Sequence, residues 1–327
     1  MGIDRTCQPI TQLLPSMEIL PSETHILKNG IPLLILHNEN QKIIRLDLRL
    51  RAGSSFQEKN AVALITSKTL FEGTQFHTRS EIYSALDFQG AYMDRSVDKD
   101  FANFSVYMPK EATKEIFTMV KEVFTSPDFP VDELILCKEQ QKQSLCVSME
   151  RTSVLAFRAF MQTVFFGHPY GIVTHPNDYD CIERQDLINF YSSFYQGSNI
   201  HLFIAGNIDD EVKNYLEETI GTIPMGKPIE CKKFPFAPIS TDKILISKDE
   251  AMQSSICIGK KLFTRMHPDW MKLSVLNMIL GGYFGSRLMS EIREKKALAY
   301  GISSRMVSYQ ESGIFYIAAD VNKDKTE

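Results

Sequence analysis

The chain repeats itself. Shifting it by 210 residues sets Leu46 and Leu48 on Ile256 and Ile258, and Ser80-Glu81-Ile82 on Ser290-Glu291-Ile292. The same shift sets Phe104 and Val106 on Ile314 and Tyr316, and Arg95 and Val97 on Arg305 and Val307. Identity across the shift is low, so what carries the repeat is the ordered return of strand, helix and turn signals. A tandem duplication rules out one ordinary core. It suits 327 residues, because units of roughly 100 to 200 residues are the usual size.

The first copy mixes strand and helix signals. Thr24 to Leu36 is two apolar runs around Asn29-Gly30, a strong hairpin signal. Ile44, Leu46, Leu48 and Leu50 alternate with Arg45, Asp47, Arg49 and Arg51, which predicts a half-buried strand whose basic face is solvated. Helices are predicted after it and near Ser80 to Phe88, then strands over Ala91 to Arg95 and Phe101 to Tyr107. A mostly helical stretch from Glu111 to about Phe165 is broken by Pro127 and Pro130. A Gly167-His168-Pro169-Tyr170-Gly171 turn, a helix around Arg184 to Tyr195 and a strand over Asn199 to Ala205 follow. This order predicts an α+β fold, a tandem α/β sandwich, rather than a doubly wound sheet. The segment IPMGKPIECKKFPFAPI holds four prolines without apolar periodicity and marks a linker. The expected organisation is an N-terminal extension over 1–23, a first domain over 24–222, a linker over 223–240 and a second domain over 241–327. The second copy stops where the first continues into helices. The sequence is therefore expected to be truncated, with roughly a hundred further residues in a full-length form.

Composition narrows the functional classes. Hydrophobic content of 43%, charged content of 23% and 14 prolines fit a packed globular chain and not a disordered one. A net charge of -4 provides no broad basic field for nucleic acid. Six cysteines, at 7, 137, 146, 181, 231 and 257, show no metal-type spacing and read as reduced thiols. No apolar run approaches the ~18 residues of a membrane span. Met1 to Thr6 formally fits a myristoylation pattern but reads as an ordinary start, and no basic-then-apolar signal sequence follows. A cytoplasmic location, or removal of a targeting segment, is the expectation.

The stretch NAVALITSKTLFEGT, residues 60–74, is an apolar helix interrupted by two polar residues. Leu64, Ser67 and Lys68 stand at i, i+3 and i+4 and are expected to share one helical face. FEGT after this helix, GHPYG at 167–171, IHLFIAGNID at 200–209 and above all LGGYFGSRLMSEIREKKALAYGISS at 280–304 resemble a known family. It is the insulinase and mitochondrial-processing-peptidase family of pitrilysin-like zinc metallopeptidases, and the resemblance runs from about His25 to the end. A duplicated α+β domain is what the resemblance implies, in agreement with the repeat found independently of it.

Catalytic members of that family carry His-x-x-Glu-His on the helix before the FxGT turn. By resemblance, the two histidines hold zinc and the glutamate activates the metal-bound water. The matching positions here are Leu64, Ser67 and Lys68. Leucine cannot ligate, serine is too weak a base, and the lysine ammonium repels a dication. The family's third ligand would fall near Ser144, where KQSLCVSM offers no obvious carboxylate except Glu150 just after it. The second copy offers Ser274, Asn277 and Met278, which do not restore the site. His168 and His175 are seven residues apart, beside prolines, and read as turn residues.

The resemblance also implies a role for an arginine and a tyrosine seven residues apart, which match Arg293 and Tyr300. On spacing alone these read as a solvated helix residue and an amphipathic core aromatic. The surrounding motif reverses that reading: by resemblance both donate hydrogen bonds to a substrate carbonyl as it becomes an oxyanion. The expected molecule is a subunit without zinc or other cofactor of its own. It would pair with a homologous His-x-x-Glu-His chain that carries the zinc, and bind an extended peptide at a sheet edge. A scaffold like the core subunits of the respiratory cytochrome complex, or a peptide-binding protein of the same fold, is the alternative.

Overall fold

The computed structural model describes residues 6, 19–229, 233–238, 243–249 and 251–326, except for the side chain of residue 325. Most of the 1–23 extension with its Gly2 pattern, Cys7, Cys231 and part of the 223–240 segment lie outside the described residues.

The hairpin signal is met by β1 (Glu23–Ile26) and β2 (Pro32–His37), which pair antiparallel. Gly30 takes φ 95° in the connecting turn, a left-handed value that glycine adopts without strain. The alternating segment is β3 (Ile43–Leu50), with Ile44, Leu46, Leu48 and Leu50 completely buried. After it come α1 (Val62–Thr69), α2 (Arg79–Phe88), β4 (Tyr92–Val97) and β5 (Ala102–Pro109). The predicted helical stretch resolves into α3 (Thr113–Thr125), α4 (Val131–Met149) and α5 (Thr152–Val164). Then come α6 (Arg184–Phe194), β6 (Ile200–Gly206) and α7 (Asp210–Glu218).

Two departures from the sequence reading have local causes. The α4–α5 break carries no proline or glycine; Arg151 turns extended (φ -83°, ψ 124°). The turn lets α4 bury Leu134 and Cys137 in the first core while α5 buries Phe160, Met161 and Val164 in the second. Helix α7 was not foreseen, although Asp209 caps it by accepting the Val212 N–H, and Val212 and Leu216 form its buried i, i+4 pair.

These elements form a six-stranded sheet in the order β1-β2-β6-β3-β5-β4. One face buries Leu33, Leu46, Leu48, Phe104, Val106, Leu202 and Ile204 in the main core. The chain continues through β7 (Gln253–Leu262), α8 (Trp270–Asn277), π-helical turns at Met278–Gly282 and Met289–Lys295, β8 (Ala299–Ser308) and β9 (Gly313–Asn322). The second sheet runs β7-β9-β8, the same antiparallel order as β3-β5-β4. The fold is mixed α+β, as expected. A uniform shift of 210 fails at residue level, however: it would pair Ile256 with Tyr316, whereas Ile256 pairs with Ala319. The copies keep the order of strands but slip in register.

The two sheets meet through α5, whose Phe157 and Phe160 pack on Tyr316 of β9 with ring centroids 5.1 and 5.8 Å apart. A polar knot closes the same junction. The Tyr170 hydroxyl donates to Asp100 Oδ1 at 2.5 Å, and the Gln310 N–H to Asp100 Oδ2 at 2.8 Å. His168 accepts the Tyr170 N–H on Nδ1 and turns Nε2 toward Glu311 at 3.4 Å. Burial lowers the His168 pKa and raises that of Asp100. Among the described residues, no helix is long and apolar enough to cross a membrane.

Candidate functional site

Helix α1 starts without a side-chain cap at Ala61, which sits at φ 68°; the Gln57 carboxamide accepts the Ala63 N–H instead. At about 100° per residue, Leu64 and Lys68 lie close together on the helix while Ser67 stands roughly 100° from Lys68. The structure separates them accordingly. Leu64 and Lys68 are half-buried; Ser67 is 1% exposed, and its hydroxyl has no hydrogen-bond partner. Burial also pushes the pKa of the nearby core phenol Tyr195 up, and its hydroxyl likewise has no hydrogen-bond partner. The three positions thus do not present one donor face.

The surroundings of Lys68 are already filled. Arg95, pointing inward from β4, donates from Nη1 to the Lys68 carbonyl at 2.6 Å and to Glu72 Oε1 at 3.3 Å. Its Nη2 reaches Glu72 Oε1 at 3.3 Å and the Tyr83 hydroxyl at 2.8 Å. Tyr83 donates to the same carboxylate oxygen at 3.0 Å, and Arg79 Nε meets Glu72 Oε2 at 2.5 Å. The Glu72 side chain, from the FEGT turn, is 11% exposed and lies between two guanidiniums. Gly73 holds that turn (φ 155°), where a Cβ would come within 2.9 Å of the Pro130 ring.

Zinc does not fit this donor set. An alkyl group, an inward-turned hydroxyl, an ammonium and a nearby guanidinium provide no ligand and a repulsive field. Ser144 is exposed on α4, and Glu150 pairs with Lys248 at 2.5 Å rather than joining α1. Cys137 is pushed up to about 11 by burial, so it is not a thiolate donor. Among the described residues, no group of three or more His, Cys, Asp or Glu is placed to hold a metal.

Arg293 and Tyr300 are brought together. Arg293 leaves the π-helical turn and donates from Nε to the Tyr300 carbonyl at 2.9 Å, its guanidinium 5.2 Å from the Phe284 ring centroid. Tyr300 lies on β8, an edge of the three-stranded sheet. Ala299 pairs with Val321 and Gly301 with Asp320, so Tyr300 is the extra residue of a β-bulge. A bulge re-aims its side chain out of the ladder. Ala297, at φ 50°, sets the preceding turn. The Tyr300 side chain is accordingly 78% exposed. Arg293 thus holds the backbone of Tyr300 at the strand edge, while the Tyr300 phenol is exposed. Sequence reasoning singled out Arg293 and Tyr300, which the structure joins through the Tyr300 carbonyl. It missed Arg95, whose inward position follows from pairing with Phe104 on the buried face of the sheet.

Residues 182–327 match the model of the peptidase M16 inactive domain. An uncharacterized zinc protease of Rickettsia bellii is 24% identical over 92% of this chain and 74% of its own length. The non-peptidase homolog YmxG of Helicobacter pylori is 24% identical over 86% of this chain and 67% of its own. Among solved structures, a peptidase M16 inactive domain from Pseudomonas fluorescens superposes with a TM-score of 0.85 at 26% identity, covering 93% of this chain and 75% of that one. Pitrilysin shares the fold, with a TM-score of 0.72 at 15% identity over 97% of this chain and 36% of its own.

Proposed function

We propose that this protein, whose residues 182–327 match the peptidase M16 inactive domain, is a non-catalytic M16-family subunit of a two-chain zinc peptidase. Its two units, joined through 223–240, enclose a peptide chamber together with a homologous partner. That partner carries the intact His-x-x-Glu-His helix and the zinc. Arg293 and Tyr300 reach into the partner's site and donate to the oxyanion of the cleaved peptide bond. An extended peptide adds to a strand edge, for which β4 and β8, each an edge strand of its sheet, are the candidates. Free thiols such as Cys146 and Cys181 fit a reducing cytoplasm.

One observation carries the reading: the metal position is closed by Arg95 and Glu72, while Tyr300 is thrown outward by a bulge beside Arg293. A buried remnant would need no such exposure. The test is to purify the chain with a His-x-x-Glu-His homologue of the same source and follow peptide cleavage. Tyr300→Phe and Arg293→Ala are expected to lower kcat by roughly 100- to 1,000-fold, the usual effect of losing an oxyanion donor. The pair should still co-elute. Unchanged turnover in both variants removes the assigned roles.

A scaffold or peptide-binding role is the second reading, favoured by the closed α1 site and by the H. pylori relative's name, non-peptidase homolog. Peptide binding without turnover in every pairing is the result that would select it.

A further inference from the structure

A cavity of about 330 Å³ opens between α5, the β4–β5 turn, the 172–174 segment and Tyr309 at the β8–β9 turn. We propose that it binds a small organic anion, with a carboxylate or phosphate group held between Lys99 and Arg158 and an apolar body lying against Phe157, Met161 and Tyr309. The volume is at the lower end of small-molecule sites. The inference does not depend on the chain being an accessory subunit.

The argument begins with two cations that lack a counterion. Lys99 Nζ donates to the Ile172 carbonyl at 2.7 Å, and Arg158 Nη2 to the Thr174 carbonyl at 2.5 Å. Among the described residues neither has an ion-pair partner or another hydrogen bond, and both line the cavity. Asp178, whose charge acts on Arg158, is engaged by Asn60 Nδ2 at 3.1 Å and the His175 N–H at 2.7 Å. Burial and the facing guanidinium push Lys99 down to about 8, and burial lowers the Arg158 pKa. Two half-buried like charges that repel each other are costly unless an anion joins them.

A purely structural role explains less. Holding two backbone carbonyls requires only neutral donors, and a pair of charges adds repulsion without a gain. The remaining walls fit a ligand with an apolar body: Phe157, Met161 and Tyr309 are aromatic or soft, and Ser54 and Gln57 supply neutral polar groups.

The experiment is calorimetric titration of the full chain with phenylacetate, phenyl phosphate and the neutral isostere phenylacetamide. Saturable binding of at least one anion is expected, with phenylacetamide at least tenfold weaker. The tighter anion identifies the head group as carboxylate or phosphate. Lys99→Met and Arg158→Met should each weaken that binding at least tenfold, while Lys99→Arg retains it and Lys59→Met, on a surface pair with Asp186, leaves it unchanged. Because the Met variants also lose a backbone contact, Met161→Trp provides a second route: it fills the apolar end, leaves both charges, and should abolish phenylacetate and phenyl phosphate binding. The proposal is overturned if no anion binds at millimolar concentration, if chloride competes as well as the organic anions, or if Met161→Trp binds normally.

Discussion

Glu72→Gln tests whether the α1 region is closed by charge. Glu72 accepts from Tyr83 and from two nitrogens of Arg95 at 3.3 Å, and meets Arg79 on its other oxygen. At 3.3 Å and an effective dielectric of 20, the Glu72–Arg95 attraction is about 5 kcal/mol before desolvation is subtracted. Arg79 is half exposed and adds little. Glutamine keeps the shape and the Tyr83 contact but leaves Arg95, with a side chain 15% exposed, without its counter-charge. The expected loss is about 2–4 kcal/mol, somewhat below the ~3–5 kcal/mol for breaking a fully buried pair from one side, because Arg95 keeps some exposure. Hydrogen exchange read by mass spectrometry should show amides of α2 and β4 opening about 30- to 1,000-fold more often. The sole tryptophan, Trp270, lies on α8, so its fluorescence follows the other half as an internal control. Adding Arg95→Leu to Glu72→Gln should recover at least about 1 kcal/mol, since both buried charges are then gone. Protection changed by less than about threefold in the single variant would refute the reasoning. Glu72 would then be solvated and would not be the group that holds Arg95 against α1.

Three further outcomes are expected. Installing Leu64→His, Ser67→Glu and Lys68→His together should not create tight zinc binding, because position 67 faces the core and Arg95 persists; a zinc-indicator competition assay decides this, and stoichiometric binding contradicts it. Tyr170→Phe removes a donor to buried Asp100 and should cost about 1–3 kcal/mol in chemical denaturation, while an unchanged midpoint would mean the knot at the junction is inert. The third concerns pH. The folded-state pKa of His168 is lowered, so the unfolded chain binds more protons just below pH 6.5; the contribution of His168 is present above that value and fades as pH falls. His77, raised by Glu122, and Asp100, raised by burial, act in the opposite direction. The comparison is therefore wild type against His168→Phe: between pH 7.5 and 5.5 the melting temperature of the wild type should fall more, and parallel profiles would contradict the assignment.

What the sequence disclosed and what it withheld divide along the range of the interactions. The strands themselves were legible because Leu46 and Leu48, and Phe104 and Val106, alternate with polar neighbours, and period two survives duplication. Register was not, since a slip between Ile256 and Ala319 leaves the alternation of each strand intact. That Leu64, Ser67 and Lys68 provide no zinc ligand was readable from three letters. The presence of Arg95 beside them was not, because Arg95 lies 27 residues from Lys68 and enters only through the β4–β5 pairing. The outward aim of Tyr300 depends in the same way on one unpaired residue between Ala299 and Gly301, a feature of two strands together that neither reveals alone. It follows that motif spacing alone understates what surrounds Lys68 and Tyr300. A side chain far away in sequence, Arg95, fills the space beside the first, and a β-bulge leaves the second exposed.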